Sequence, residues 1–235
     1  MNASAASARP LGRLIERMGA LENLEADDAA LAARLRQVRT WQSERLARTY
    51  ADLAADPTQA PALHFFLADL YGPQNFHRRD QDLARAGAIL ERTLPQSALG
   101  VLLDALELNV LSTELDHDLA HALEPGPISS ATYADAYRRT GRFPDRRRQI
   151  DLIVRVGEQL ARTVRQPLVG FALRAARAPA YLAGFGTLQE FLERGFQAFS
   201  RLGSELSFLD TIRARETALS EALARGDVRL LSRCW

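Results

Sequence analysis

Apolar residues return along most of this chain at steps of three and four, the spacing that gathers side chains on one face of an α-helix. Leu11, Leu14, Ile15, Met18 and Leu21 form a first short stretch of this kind. Asp27 and Asp28 then suit the start of a longer helix, which carries Leu31, Leu35, Val38, Trp41, Leu46, Tyr50 and Leu53 until Asp56-Pro57 stops it. Pro61 fits the first turn of a helix that ends at Gly72-Pro73. Further helices are predicted over 82–94 and 96–123. The second of these is apolar nearly all round between Leu99 and Leu111, so it is expected at the centre.

Glu124-Pro125-Gly126-Pro127 is the clearest break in the chain. Beyond it Ser129 or Ser130 can cap a helix that ends near Gly141, and four more follow over 145–164, 167–178, 187–202 and 205–224. No alternating run between paired turns suggests a strand. The pattern predicts an all-α fold, a single compact bundle of about nine or ten helices spanning residues 1–235. Residues 1–57 are expected as a projecting helical pair and residues 58–235 as the main bundle.

Composition narrows the chemistry. The chain has 235 residues, 47% of them hydrophobic and 25% charged, which is ordinary for a globular protein. Its 30 basic and 29 acidic side chains leave a formal net charge of +1, with no overall pull toward nucleic acid or anionic membrane. Every basic residue is Arg. Chemistry that needs a P-loop lysine or a lysine Schiff base is thereby excluded. Cys234 is the single cysteine, so no intrachain disulfide or Cys-rich zinc module can form. The N-terminal residues lack the apolar core of a secretory signal, and no apolar run is long enough to cross a membrane. A cytoplasmic location is expected, with no membrane partner.

Four candidate sites stand out. Glu114, His117 and His121 have metal-like spacing, but a di-iron centre needs a second Glu-x-x-His pair that His64 and His77 cannot supply. A polar helix face is the better reading, and no metal or other cofactor is expected. Phe185, Phe191, Phe196, Phe199 and Phe208 form an aromatic stripe that reads as core. Haem ligation there is hard to support, because no His, Cys or Met falls between His121 and Cys234. Gly184-Phe185-Gly186 lacks the third glycine of a dinucleotide fingerprint and reads as a turn.

Arg146, Arg147 and Arg148 sit at a helix start, where cations are disfavoured, and so form a candidate patch for an anion or an acidic partner. Tyr133, Tyr137 and Phe143 beside them would permit base stacking, but no nucleic-acid-binding motif accompanies them and internal ion pairing is the preferred use. Glu107 lies in a mostly apolar segment with Asp104 on the same face, a candidate buried carboxylate for general acid–base work. No triad, nucleophile elbow or Gly-rich phosphate loop stands beside it, and pairing with an Arg is the simpler expectation.

The stretch Phe65-Phe66-Leu67-Ala68-Asp69-Leu70-Tyr71-Gly72-Pro73, followed by Arg79-Asp80, resembles a group of bacterial proteins of uncharacterised function named after an FFLEELY motif. Ala68 and Asp69 stand where that name has two Glu. The resemblance extends to Ala105–Asn109, to Leu188–Phe199 and to Arg215-Glu216. It implies a proteobacterial protein and supplies no catalytic residue. Phe65, Phe66, Tyr71, Gly72, Arg79 and Asp80 are read as a structural signature of helix, stop and next helix.

Three functions fit these residues. The first is a non-enzymatic interaction protein, self-associating through the apolar seam of Leu31 to Leu53. The second is a helical bundle that binds a small molecule or metal in its interior. The third is an enzyme using Glu107 or a nearby carboxylate. The first is favoured, and with it a homo-oligomer or a protein partner, because every enzyme constellation is incomplete.

Overall fold

A computed structural model describes residues 10–70, 77–93, 96–202 and 207–232. Tyr71, Gly72 and Cys234 lie outside the described residues, as do the side chains of Ala68, Asp69, His77, Arg79 and Asp80. Among the described residues there are eleven α-helices and no strand, with one π-helical and one 3₁₀ turn. In chain order the helices are α1 (Pro10–Asp27), α2 (Ala29–Thr49), α3 (Ala51–Ala55) and α4 (Ala60–His64). After the π turn at Phe65–Leu70 come α5 (His77–Thr93), α6 (Gln96–Ala122), α7 (Ser130–Thr140) and α8 (Phe143–Thr163). The series ends with α9 (Pro167–Leu182), α10 (Gly186–Arg201) and α11 (Ser207–Ala224).

Local chemistry accounts for several of these boundaries. Asp28 accepts the backbone N–H groups of Ala30 and Leu31 at 2.9 and 3.0 Å and so caps α2. Ser129 and Thr132 form a reciprocal capping box at the start of α7. Gly141, with φ of 64°, ends that helix in the left-handed region. The long helix expected through Leu53 is instead interrupted at Tyr50, whose backbone (φ −115°, ψ 24°) leaves the α region between α2 and α3.

Helix α6 is the central rod: it packs along α8, α1, α2 and α7, while α11 crosses α8 and α7. The two N-terminal helices do not project. Leu11 and Met18 of α1 share a core with Leu83, Leu106 and Val110. Leu35 and Val38 of α2 share another with Leu119, Tyr133 and Leu223. Their apolar stripes are covered by α5, α6 and α7, which removes any reason for the pair to stand apart. It also leaves the Leu31–Leu53 seam turned inward, so that seam presents no face for self-association.

A third core is aromatic. Phe65 and Phe66, consecutive in the π turn, are both buried, with Phe66 centred 5.7 Å from Phe199 and Phe65 5.3 Å from Phe191. Gly195 makes this possible: a Cβ there would lie 2.8 Å from Phe65 Cζ. Of the predicted aromatic stripe, Phe199 and Phe208 are fully buried, and Phe185, Phe191 and Phe196 are partly so.

Candidate functional site: an interior cavity with two unlike walls

Five helices carry polar residues on the faces they turn inward. On α2 the stripe that begins with Leu35 and Val38 continues as Gln42, Arg45 and Thr49, still at steps of three and four. Ser112 and Asp116 on α6, Tyr133 and Tyr137 on α7, and Arg146 and Gln149 on α8 are likewise buried pairs one turn apart. Glu216 and Ser220 supply the pair on α11.

These side chains meet. Arg45 Nη1 donates to Glu216 Oε1 at 2.5 Å, and the Tyr50 hydroxyl donates to the same oxygen at 2.8 Å. Gln42 Nε2 donates to the Tyr133 hydroxyl at 3.3 Å, and that ring stacks on Trp41 with centroids 4.1 Å apart. Gln149 Nε2 donates to Ser112 Oγ at 2.8 Å; its Oε1 accepts from Arg146 Nη1 at 3.3 Å. The Arg146 guanidinium also donates to the Leu115 carbonyl and lies 5.0 Å from the centre of the Tyr137 ring. Tyr137 and Ser220 hydroxyls are 2.8 Å apart.

Burial sets the electrostatics of this group. Burial alone would lower the Arg45 pKa, but the Glu216 carboxylate outweighs it and holds the guanidinium charged. Burial and the same carboxylate both push the Tyr50 phenol upward. Burial likewise raises Asp116, against the pull of Arg39 and Arg146. Nearby, burial works to raise Glu25, yet hydrogen bonds from His117 (3.2 Å) and Arg39 (2.7 and 3.0 Å) bring its pKa to about 2.

The polar group, Thr49 and Asp116 excepted, forms one wall of a cavity of about 160 Å³. The other wall is apolar, with Leu63, Phe66 and Leu67, Leu83 of α5, Leu102 and Leu106 of α6, and Phe191 of α10. Leu192 touches both the cavity and solvent. A cavity of about 150 Å³ accommodates benzene, so this one has room for a ligand of similar size or a little larger. Two polar atoms of its lining residues, Gln42 Oε1 and Arg45 Nε, are buried with no hydrogen-bond partner among the described residues. One is an acceptor and the other a donor, and buried polar atoms are seldom left unmatched.

The residues singled out in the sequence fall in different places. Phe65 belongs to the aromatic core and Phe66 to the apolar wall. Arg146 faces the cavity, whereas Arg147 and Arg148 are exposed. Successive helical residues turn by 100°, so the three arginines cannot act as one patch. Glu107 is not buried: its side chain is 31% exposed and pairs with Arg148, whose Nε lies 2.7 Å away. Position 107 is on the side of α6 that meets the exposed edge of α8, away from the cavity lining. Tyr133 and Tyr137 are buried against Trp41 and each other and are not presented for base stacking.

The metal-like trio is dispersed as well. His117 is buried on Glu25, Glu114 pairs with Arg17 at 2.6 Å, and His121 is exposed. Among the described residues no group of three or more His, Cys, Asp or Glu converges to hold a metal ion. Gly184, at φ 78°, forms the turn between α9 and α10.

A family model described as Domain of unknown function (DUF8198) matches residues 22–229, nearly the whole chain. The chain belongs to that family. All of the DUF8198 residues that wall the cavity lie inside the matched span, while most of α1 precedes it. No curated protein and no solved structure is matched by the chain. No helix among the described residues of this DUF8198 protein is long and apolar enough to cross a membrane.

Proposed function

We propose that this protein binds a small molecule in the interior of its bundle, one with an apolar body and a head that both donates and accepts hydrogen bonds. One observation carries the reading: a cavity of about 160 Å³ has an apolar wall of Leu and Phe facing a wall of hydrogen-bonding side chains. Leu and Phe side chains on one side would hold the body by apolar burial. Gln42 and Arg45 would orient the head, with Glu216 fixing the guanidinium. A cavity that stays empty is apolar, so a polar wall calls for water or for a ligand group that displaces it.

Thermal unfolding in the presence of benzyl alcohol and of toluene tests this. The two probes share a ring and differ in a hydroxyl that can hydrogen-bond to the polar wall. The expected result is a saturable rise in Tm of several degrees with benzyl alcohol, a smaller one with toluene, and loss of both in Ala105→Phe, which fills the cavity. Saturable chemical-shift changes on the wild-type protein report the same binding without any variant. If neither probe gives a saturable response in either measurement, the reading is wrong.

A further inference from the structure

We propose that the outward face of α9 docks on an anionic lipid surface. This inference is independent of the interior cavity. At 100° per residue, Leu168, Phe171, Ala172, Ala175, Ala178, Pro179 and Leu182 fall on one side of α9, and all seven are exposed. Leu182 is 90% exposed, Leu168 77% and Phe171 64%. The opposite side meets α10, where a Cβ on buried Gly170 would lie 2.9 Å from Phe196 Cζ. The helix is therefore held by its small, tight face and turns its large apolar residues outward, the reverse of an ordinary surface helix.

Charge identifies what would cover that face. From Gln159 to Gln189 the chain has four arginines, Arg162, Arg165, Arg174 and Arg177, and neither Asp nor Glu. This is the longest acid-free stretch in a sequence otherwise balanced between acids and bases. Arg177 turns inward to Glu193 at 3.1 Å, and Arg174 sits on the flank of the apolar side. Arg162 lies 4.0 Å from Glu158 and the Tyr181 hydroxyl donates to Glu190, so Arg174 is the cation this flank presents. An apolar helix face edged by a cation matches a surface of negative headgroups above hydrocarbon.

Size and shape argue against a second copy of the chain. A stable protein interface uses roughly 20–30 residues a side, and this face supplies seven on one convex helix. A two-fold pairing about Ala175 would also bring the two Arg174 flanks together. Lipid demands neither a large area nor a matching groove, and the long Arg174 side chain can reach headgroups while the helix face enters the acyl boundary.

Co-flotation of the full chain with phosphatidylcholine vesicles, with and without phosphatidylglycerol, is the test. The expected result is flotation with the anionic vesicles, several-fold less with the neutral ones, and a fall in binding at high salt. The triple variant Leu168→Ser, Phe171→Ser, Leu182→Ser changes only exposed side chains, and circular dichroism would verify its fold. It should lose at least tenfold in vesicle binding. The proposal fails if wild type stays with neither vesicle, if the triple variant floats as well as wild type, or if light scattering finds a dimer that this variant converts to monomer.

Discussion

On one side of the cavity Leu63 and Phe66 belong to a cluster with Phe199, Phe208 and Ile212; on the other, hydrogen bonds join Gln42 to Tyr133, Arg45 to Glu216 and Gln149 to Ser112. Both groups lie on inward helical faces and both are buried. Their stability has different origins. Each fully buried Phe contributes on the order of 2–3 kcal/mol through apolar burial. A buried ion pair such as Arg45–Glu216 roughly breaks even, because desolvation of both charges offsets their attraction. The bundle could close with hydrocarbon at every one of these positions. Concentrating polar groups on one wall, with two atoms left unmatched, is the kind of departure from core packing that folds make where a ligand is held.

The largest effects should come from breaking either wall, and a second substitution tells the walls apart. Phe199→Ala should lower unfolding free energy by about 3–5 kcal/mol by leaving a cavity. Glu216→Ala should cost a similar 3–5 kcal/mol by stranding the Arg45 charge in the interior. Adding Arg45→Met to a Glu216→Leu background should recover most of that loss, since no charge then needs a partner. Urea denaturation of the four proteins checks this. If the double variant is as unstable as Glu216→Ala, the polar wall owes its stability to something other than charge pairing.

A smaller effect depends on pH. The folded protein lowers the Glu25 pKa from 4.5 to about 2. A depressed carboxylate stabilises the fold fully above its unfolded pKa and loses that contribution as pH falls through its folded one. Wild type should therefore exceed Glu25→Gln in stability by no more than about 3 kcal/mol near neutral pH. The gap should close between about pH 4.5 and pH 2. Asp116, raised by burial, shares Arg39 with Glu25, its Oδ2 lying 3.7 Å from Arg39 Nε, so the two carboxylates are coupled and Asp116 contributes to the gap. A gap that stays constant down to pH 2 would mean the hydrogen bonds from His117 and Arg39 do not depend on the carboxylate's charge.

The apolar wall was largely legible in the sequence, and the polar wall largely was not. Apolar spacing alone placed α6 at the centre, and the helix start at Asp27-Asp28, the cap at Ser129 or Ser130 and the stop near Gly141 followed from residue type. The break at Tyr50 and the π turn at Phe65–Leu70 are tertiary compromises that periodicity does not carry. Arg45 and Glu216 lie 171 positions apart, so no local pattern joins them. One signal was available: Gln42, Arg45 and Thr49 keep the register of Leu35 and Val38, and polar residues in register with a core stripe point inward. The Arg146–Arg148 run misled for the complementary reason. Adjacency in sequence concentrates charge on paper, while the helix sends neighbours to different sides.

The smallest expected effect sharpens that last distinction, because Glu107 and Glu216 are both carboxylates paired with Arg on central helices and differ mainly in exposure. The Glu107 and Arg148 side chains are 31% and 64% exposed, against 14% and 9% for Glu216 and Arg45. Water solvates the Arg148 charge when its partner is removed, so little is stranded. Glu107→Ala should cost at most about 1 kcal/mol, and less still at high salt. Because Glu107 does not line the cavity, the Tm response to benzyl alcohol should be the same as in wild type. A cost of several kcal/mol, or a lost response to the probe, would return Glu107 to the site and undo the separation between a surface pair and an interior one.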